Sequence, residues 1–201
     1  MHISNSEIRA KARESLDGKI FGKRWLLAVL GGLIISAVLG AANYLCAGIA
    51  TMLLCGPLYV GLYKFYLNIS NNQEDIKVES VFDGCYNFSQ NFMVGVMQSL
   101  LIFLWSLLFV IPGIVKSYSY ALVYYIKAEN PEMDWRQCLS ESEMMMKGNK
   151  WRLFKLHFSF IGWMFLSLFT LGIGSLWVNA YMQVSTAVLY EEIKRERMYA
   201  C

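Results

Sequence analysis

The chain has 201 residues, of which 56% are hydrophobic, 15% aromatic and only 16% charged, with a formal net charge of +3. A soluble domain carries about 25% charged residues, so this composition excludes a disordered chain, and the length excludes a large multidomain enzyme. Eighteen basic against fifteen acidic residues leave too small an excess for a general nucleic-acid binder.

The opening stretch, 6–16, reads as a short amphipathic helix. Ile8, Ala12 and Leu16 recur at helical spacing, Arg9, Lys11 and Arg13 lie off that stripe, and Ser6 is placed to cap the first turn. Basic residues continue through Lys19, Lys23 and Arg24, with Glu7, Glu14 and Asp17 among them, a pattern unlike a secretory signal. The 39 residues between Arg24 and Lys64 then carry no charge. That is nearly twice the about 20 residues that cross a bilayer as a helix, so the run predicts two spans, 25–45 and 48–67.

The next uncharged run, 32 residues between Asp83 and Lys116, begins a second pair, 91–110 and 113–126. The latter is short, about 21 Å of helix at 1.5 Å per residue, and Lys116 falls inside it. Either this arm extends past Lys127 with its amine snorkelling, or it is a partial, protein-buried segment. A second amphipathic helix is predicted over 134–147. Asp134 is its N-cap, Trp135, Cys138, Leu139 and Met145 or Met146 form its apolar face, Lys147 suits its C-terminal dipole, and Gly148 is a left-handed stop. The last run, 35 residues between Lys155 and Glu191, predicts spans 151–171 and 174–190.

The expected fold is therefore all-α: a polytopic helical membrane protein of about six transmembrane helices in three hairpins, forming one integral membrane domain over 1–201. Four spans with re-entrant pieces is the alternative. The hairpin tips near Ala47, Ile111 and Ile173 are uncharged, whereas Arg9, Lys11, Arg13, Lys19, Lys23, Arg24, Lys147, Lys150 and Arg152 share the opposite face. Lys and Arg close to spans stay cytoplasmic, which places both termini on the cytoplasmic side of the cell membrane. The amphipathic segments either lie in the headgroup plane or pack against the ends of the spans.

A threefold pattern runs through the chain. Gly18, Gly84 and Gly148 stand before the aromatic-led starts Phe21 and Trp25, Phe88 and Phe92, and Trp151 and Phe154. Each run then meets a breaker, Gly56-Pro57, Pro112-Gly113 or Gly172 with Gly174, followed by tyrosines (Tyr59 and Tyr63, Tyr118 and Tyr120, Tyr181) and an acidic or amide exit. The pseudo-repeats fall at about 6–74, 78–132 and 134–192. Five scattered cysteines (Cys46, Cys55, Cys85, Cys138, Cys201) form no C-x-x-C pair, so reduced, packed thiols are expected, with neither a metal nor another cofactor.

Six stretches stand out as motifs: Ala10-Lys-Ala-Arg-Glu-Ser-Leu16 with Gly18, Ile111-Pro-Gly-Ile-Val-Lys-Ser-Tyr-Ser-Tyr120, Asn130-Pro131, Met144-Met-Met-Lys-Gly-Asn-Lys-Trp-Arg-Leu-Phe154, Ser159-Phe-Ile-Gly-Trp163 and Leu171-Gly-Ile-Gly-Ser-Leu-Trp177. Together they resemble an uncharacterised bacterial membrane-protein family known as domain of unknown function 975. The resemblance implies a multi-span inner-membrane protein and supplies no catalytic or binding residue.

Ionisable residues inside spans are functional candidates because burying them is costly. The three runs hold no Asp or Glu, which disfavours an ion-coupled transporter and an aspartate protease. Lys116, with Tyr118 and Tyr120, is the candidate for an anionic headgroup or a peptide carboxylate, against a reading as a snorkelling lysine and belt aromatics. Asn179, Gln183 and Thr186 share one face of the last span, either as interhelical hydrogen-bonding groups or as the lining of a polar cavity. His157 lacks an acid partner and a nucleophile elbow and reads as a packed interfacial residue. Met144, Met145 and Met146 point in different directions and cannot converge on one ion.

The function expected is that of a non-enzymatic accessory or scaffold protein. Its partners would be membrane lipids and either another membrane protein or further copies of itself, without nucleic acid. The alternative is a permease-like carrier of an anionic amphiphile or peptide, with Lys116, Tyr118, Tyr120 and Asn179 near its site.

Overall fold

A computed structural model describes residues 4–18, 22–46, 49–73, 76–170 and 172–200, without the side chains of 44–46, 49–53, 108, 168 and 200. Lys19, Phe21, Ala47, Glu74 and Cys201, and the side chain of Cys46, thus lie outside the described residues. The described chain is all-helical, with no strand. It divides into two compact units, 1–33 with 65–78 and 151–201, and 34–64 with 79–150.

The first unit begins with α1 (Asn5–Ser15), whose cap is Ser4, not the expected Ser6. The reason is the residue three positions on. Ser4 finds Glu7, so the Glu7 N–H donates to the Ser4 hydroxyl at 3.3 Å and the Ser4 N–H to the Glu7 carboxylate at 2.7 Å. Ser6 would find Arg9, which cannot return the bond. Ile8, Ala12 and Leu16 are fully buried, and α1 packs on α10 (Ile173–Ala200). Of the two placements open from sequence, the apolar face of α1 is spent on a helix and is not free for lipid.

Ion pairs fasten this unit. Lys11 pairs with Glu192 at 3.4 Å and Arg152 with Glu196 at 2.8 Å. Arg24, at the start of α2 (Lys23–Cys46), bonds Asp17 through its backbone N–H and Asn72 through its guanidinium at 2.6 Å. Asn72 follows α3 (Ile49–Ser70). The expected span 151–171 is two helices, α8 (Lys150–Phe158) and α9 (Ile161–Leu168), parted at Ser159-Phe160. His157 on α8 meets the Thr186 hydroxyl of α10 at 3.4 Å.

The second unit holds the later part of α2, most of α3 and a 3-10 segment (Val78–Cys85). It continues through α4 (Phe88–Leu108), α5 (Val110–Ser119), α6 (Val123–Glu129) and α7 (Trp135–Met146). Small residues let backbones touch, the usual means of packing where apolar helices have no hydrophobic force between them. A Cβ on Gly95 of α4 would stand 2.6 Å from the Cα of Gly56 on α3. One on Gly84 would strike the Pro57 carbonyl and stand 2.7 Å from the Gly61 nitrogen. Gly84 therefore serves close approach, whereas Gly18 and Gly148 sit at positive φ after helices (64° and 85°), where a Cβ is strained.

Two expected breakers act differently from expectation. α3 runs unbroken through Gly56-Pro57, and Pro112 lies in the first turn of α5, where its missing N–H has no helical partner to lose. The break is instead at Phe109, which is extended (φ −157°, ψ 143°). The expected arm 113–126 is also divided, into α5 and α6. The carbonyls freed there are taken up by other helices: Ser142 of α7 donates to the Ser119 carbonyl at 2.8 Å, and Gln98 of α4 to that of Tyr120 at 3.1 Å.

α7 follows expectation. Asp134 is its N-cap residue, with its N–H bonded to Gln137, and Cys138, Leu139, Met145 and Met146 are buried while Met144 is exposed. Burial pushes the Cys138 thiol up to about 11.

Among the described residues, two helical stretches are long and apolar enough to cross a membrane, Lys23–Asn43 and Phe88–Leu107. Many large apolar side chains of α4, α5 and α9 face outward, among them Phe103, Leu107, Ile111, Trp163 and Phe165. Soluble monomers rarely expose such contiguous apolar surface, and these features point to membrane association.

Candidate functional site

Two clusters of the described residues combine charge with aromatic surface, one in each unit. In the second, α5 carries Lys116, whose ammonium lies 2.7 Å from the Glu143 carboxylate of α7. The same nitrogen stands 5.3 Å from the ring centroid of Trp105 and 5.5 Å from that of Tyr120, within cation–π reach. The structure thus brings Lys116 and Tyr120 together, as the sequence reading required. It also supplies a carboxylate the reading had not considered, from a helix outside the uncharged runs. Tyr118 is half-buried on the same helix, and Asn179 belongs to the first unit, at an exposed position of α10. Lys116 is already neutralised by its neighbour, so the geometry defines a latch between α5 and α7.

A second lysine of that unit is more deeply held. Lys127 is fully buried, and its three ammonium protons are matched by three acceptors: Gln90 Oε1 at 2.9 Å and the carbonyls of Pro131 and Met133, both at 2.7 Å. The sequence signal was available in Asn130-Pro131, which turns the chain back over the end of α6 and frees those carbonyls.

The first unit holds a groove of about 780 Å³. Its wall comes from the end of α1 (Arg13), the start of α2 (Trp25), the α8–α9 junction (Phe160), α9 (Trp163, Leu166, Ser167) and the start of α10 (Ile173, Trp177, Tyr181). Tyr181 organises one side. Its hydroxyl donates to the Arg9 carbonyl at 2.8 Å, and its ring meets Trp25 at 5.5 Å and Phe160 edge-on at 5.1 Å. At the other side the Gly174 N–H donates to the Thr170 hydroxyl at 3.0 Å, which closes the start of α10.

Apolar and aromatic side chains make up nearly all of this wall. Arg13 is its one charged residue among those described, exposed, with no ion pair or side-chain hydrogen bond to the described residues. The indole N–H of Trp25 is buried without an acceptor there. Such a wall offers an apolar slot and one cation, which suits a molecule with a hydrocarbon tail and an anionic head.

The expected interfacial bases separate accordingly. Lys11, Arg24 and Arg152 are committed to ion pairs, and Lys23 and Lys147 are exposed. Lys150 is half-buried, the Arg9 carbonyl is engaged by Tyr181 and Arg13 lines the groove. The groove was missed in the sequence because its tryptophans stand in three separate segments. Trp25 opens the first uncharged run while Trp163 and Trp177 lie inside the third, so no single window of sequence shows them together.

An all-helical chain with helices of membrane-crossing length and an apolar groove bearing one cation defines the class. The family described as Protein of unknown function (DUF975) matches residues 1–119 and 109–197, and the chain belongs to it. No curated protein and no solved structure matches the chain.

Proposed function

We propose that this protein is a non-enzymatic accessory component of the cell membrane that holds an anionic, acyl-chained lipid in the groove of its first unit. Three hairpins enter the bilayer from the cytoplasmic side, with arms α2 and α3, α4 and α5–α6, and α8–α9 and α10, and both termini stay on that side. The basic segments support this orientation. So does α3, which carries a single charge, Lys64, across Ile49–Ser70.

The carrying observation is Arg13, without an ion pair among the described residues, in an otherwise apolar wall. A groove of about 780 Å³ lies within the size range of small-molecule sites. It would hold less than two turns of an α-helix about 10–12 Å across, so a lipid fits it better than a helix of a partner protein.

The test is native mass spectrometry of the protein released from vesicles of equal phosphatidylglycerol and phosphatidylethanolamine content. One retained phosphatidylglycerol is expected. Arg13→Gln should lower its retention about fivefold, the effect of one cation near an anionic headgroup, while Lys147→Gln leaves it unchanged. Equal losses in both variants would reduce the effect to general surface charge, and no loss in either would remove Arg13 from the site.

A further inference from the structure

Two hairpin tips show how deep the chain reaches, and each is measured within its own unit. In the second unit, Gln98 of α4 bonds the Tyr120 carbonyl, and Lys116 bonds Glu143, whose side chain is 46% exposed. The Gly113–Ser106 contact places Lys116 level with Phe103, and beyond it lie only apolar, indole and hydroxyl side chains up to the bend at Phe109. Gly113 packs against Ser106 on the way, so α4 and α5 rise side by side. From Lys116 back to Phe109 the rise is about 10 Å at 1.5 Å per residue.

In the first unit, Tyr181 bonds the Arg9 carbonyl and packs on Phe160, level with the charged helix α1. From Tyr181 to the start of α10 at Ile173 the rise is about 12 Å. A crossing needs about 20 residues per arm and about 30 Å of hydrocarbon. These arms supply little more than a third.

The hydrocarbon cannot begin lower in either unit. That would place exposed Glu143 and Arg136 on α7, or exposed Arg13 on α1, among acyl chains, where an unpaired or solvent-seeking charge is costly. What surrounds the tips is also readable. Every residue of 161–166 is exposed, and Phe109, Val110, Ile111 and Phe169 are 70% exposed or more. A tip that docks on a partner helix buries one stripe, whereas a tip apolar on all sides matches a surround of lipid.

We infer that the α4–α5 and α9–α10 hairpins do not cross the membrane but end as apolar wedges among the acyl chains of the cytoplasmic leaflet. The inference rests on the membrane reading above and departs from six full crossings at these two hairpins. The division of the expected arms into α5 with α6 and α8 with α9 marks where each chain leaves the lipid.

The experiment places a spin label at Ile111→Cys and, separately, at Phe169→Cys, both so exposed that the change removes no packing. The full chain is reconstituted in phosphatidylglycerol–phosphatidylcholine vesicles, and the unsubstituted chain, labelled identically, gives the background from native thiols. An alkaline carbonate wash comes first, then power saturation with oxygen and with a nickel chelate. The expected result is retention after the wash, with tip labels at least tenfold more sensitive to oxygen than to nickel, as for a position near the bilayer centre. Retention with nickel-accessible tips would overturn the wedge and leave the membrane reading standing. Loss of the protein in the wash would overturn the membrane reading itself.

Discussion

The two units treat their cations in opposite ways. In the second, Lys127 has an acceptor for each proton and Lys116 has Glu143. In the first, Lys11, Arg24 and Arg152 are paired, but Arg13 is left facing an apolar wall. A paired charge holds helices together, and removing one partner strands the other. An unpaired charge beside apolar surface contributes little to folding, and its worth is realised when an anion arrives. The location of a charge in the sequence does not separate these cases, since all six lie near or at the ends of uncharged runs.

The comparison can be broken by stability measurements in detergent. The largest effect is expected for Lys127→Met, which strips two backbone carbonyls and Gln90 of their donor and should cost about 3 kcal/mol, in the range for breaking a buried charged group from its partners. A loss under 1 kcal/mol would show that water replaces the ammonium and that Lys127 is not a fastening. Next comes Gly84→Ala, whose methyl meets the α3 backbone and should cost about 2 kcal/mol as overpacking. Gly162→Ala serves as its control, because a Cβ there has nothing within 4 Å, and it should be neutral or slightly stabilising by helix propensity.

In the first unit, Tyr181→Phe keeps the ring against Trp25 and Phe160 and loses one hydrogen bond, so about 1 kcal/mol is expected. A much larger loss would mean that the Arg9 carbonyl is the keystone of α1 docking.

The smallest effect concerns acid. Hydrogen bonds from the backbone and then the side chain of Ser4 hold the Glu7 carboxyl below its usual value of 4.5. The sign follows from linkage: with the folded pKa depressed, the contribution is complete above 4.5 and fades as pH falls through the lower folded value. A Ser4→Ala chain should therefore lose stability less steeply than the parent over that window. Identical acid slopes would remove the capping box from the account.

Much of the helical order was legible in the sequence. Uncharged runs located the long helices, and i, i+4 spacing located the buried faces of α1 and α7, because burial of a stripe is a local property of the pattern. Breaks were read less well. Gly56-Pro57 looks like a stop, but its glycine admits a neighbouring helix and its proline costs only one ladder bond. Phe109, where the chain does bend, has no turn chemistry of its own. Glu143 was overlooked as the partner of Lys116 because 27 residues separate them, and pairing at that range is decided by how α7 folds back. The groove was invisible for the same reason, with five of its aromatic residues gathered from positions 25, 160, 163, 177 and 181.

The bond between Tyr181 and Arg9 joins residues 172 positions apart, and this has a consequence for how the chain is made. At translation rates of about 5–20 residues per second, α1 leaves the ribosome roughly ten to thirty seconds before the helix that buries Ile8, Ala12 and Leu16. During that interval the second unit, which ends at Lys150, can already be complete, while the first still lacks 151–201 and leaves the apolar stripe of α1 uncovered. The membrane surface is the natural holding place for such a segment. The two placements open to it from sequence, in the headgroup plane or against a helix, then become successive stages in the life of one molecule.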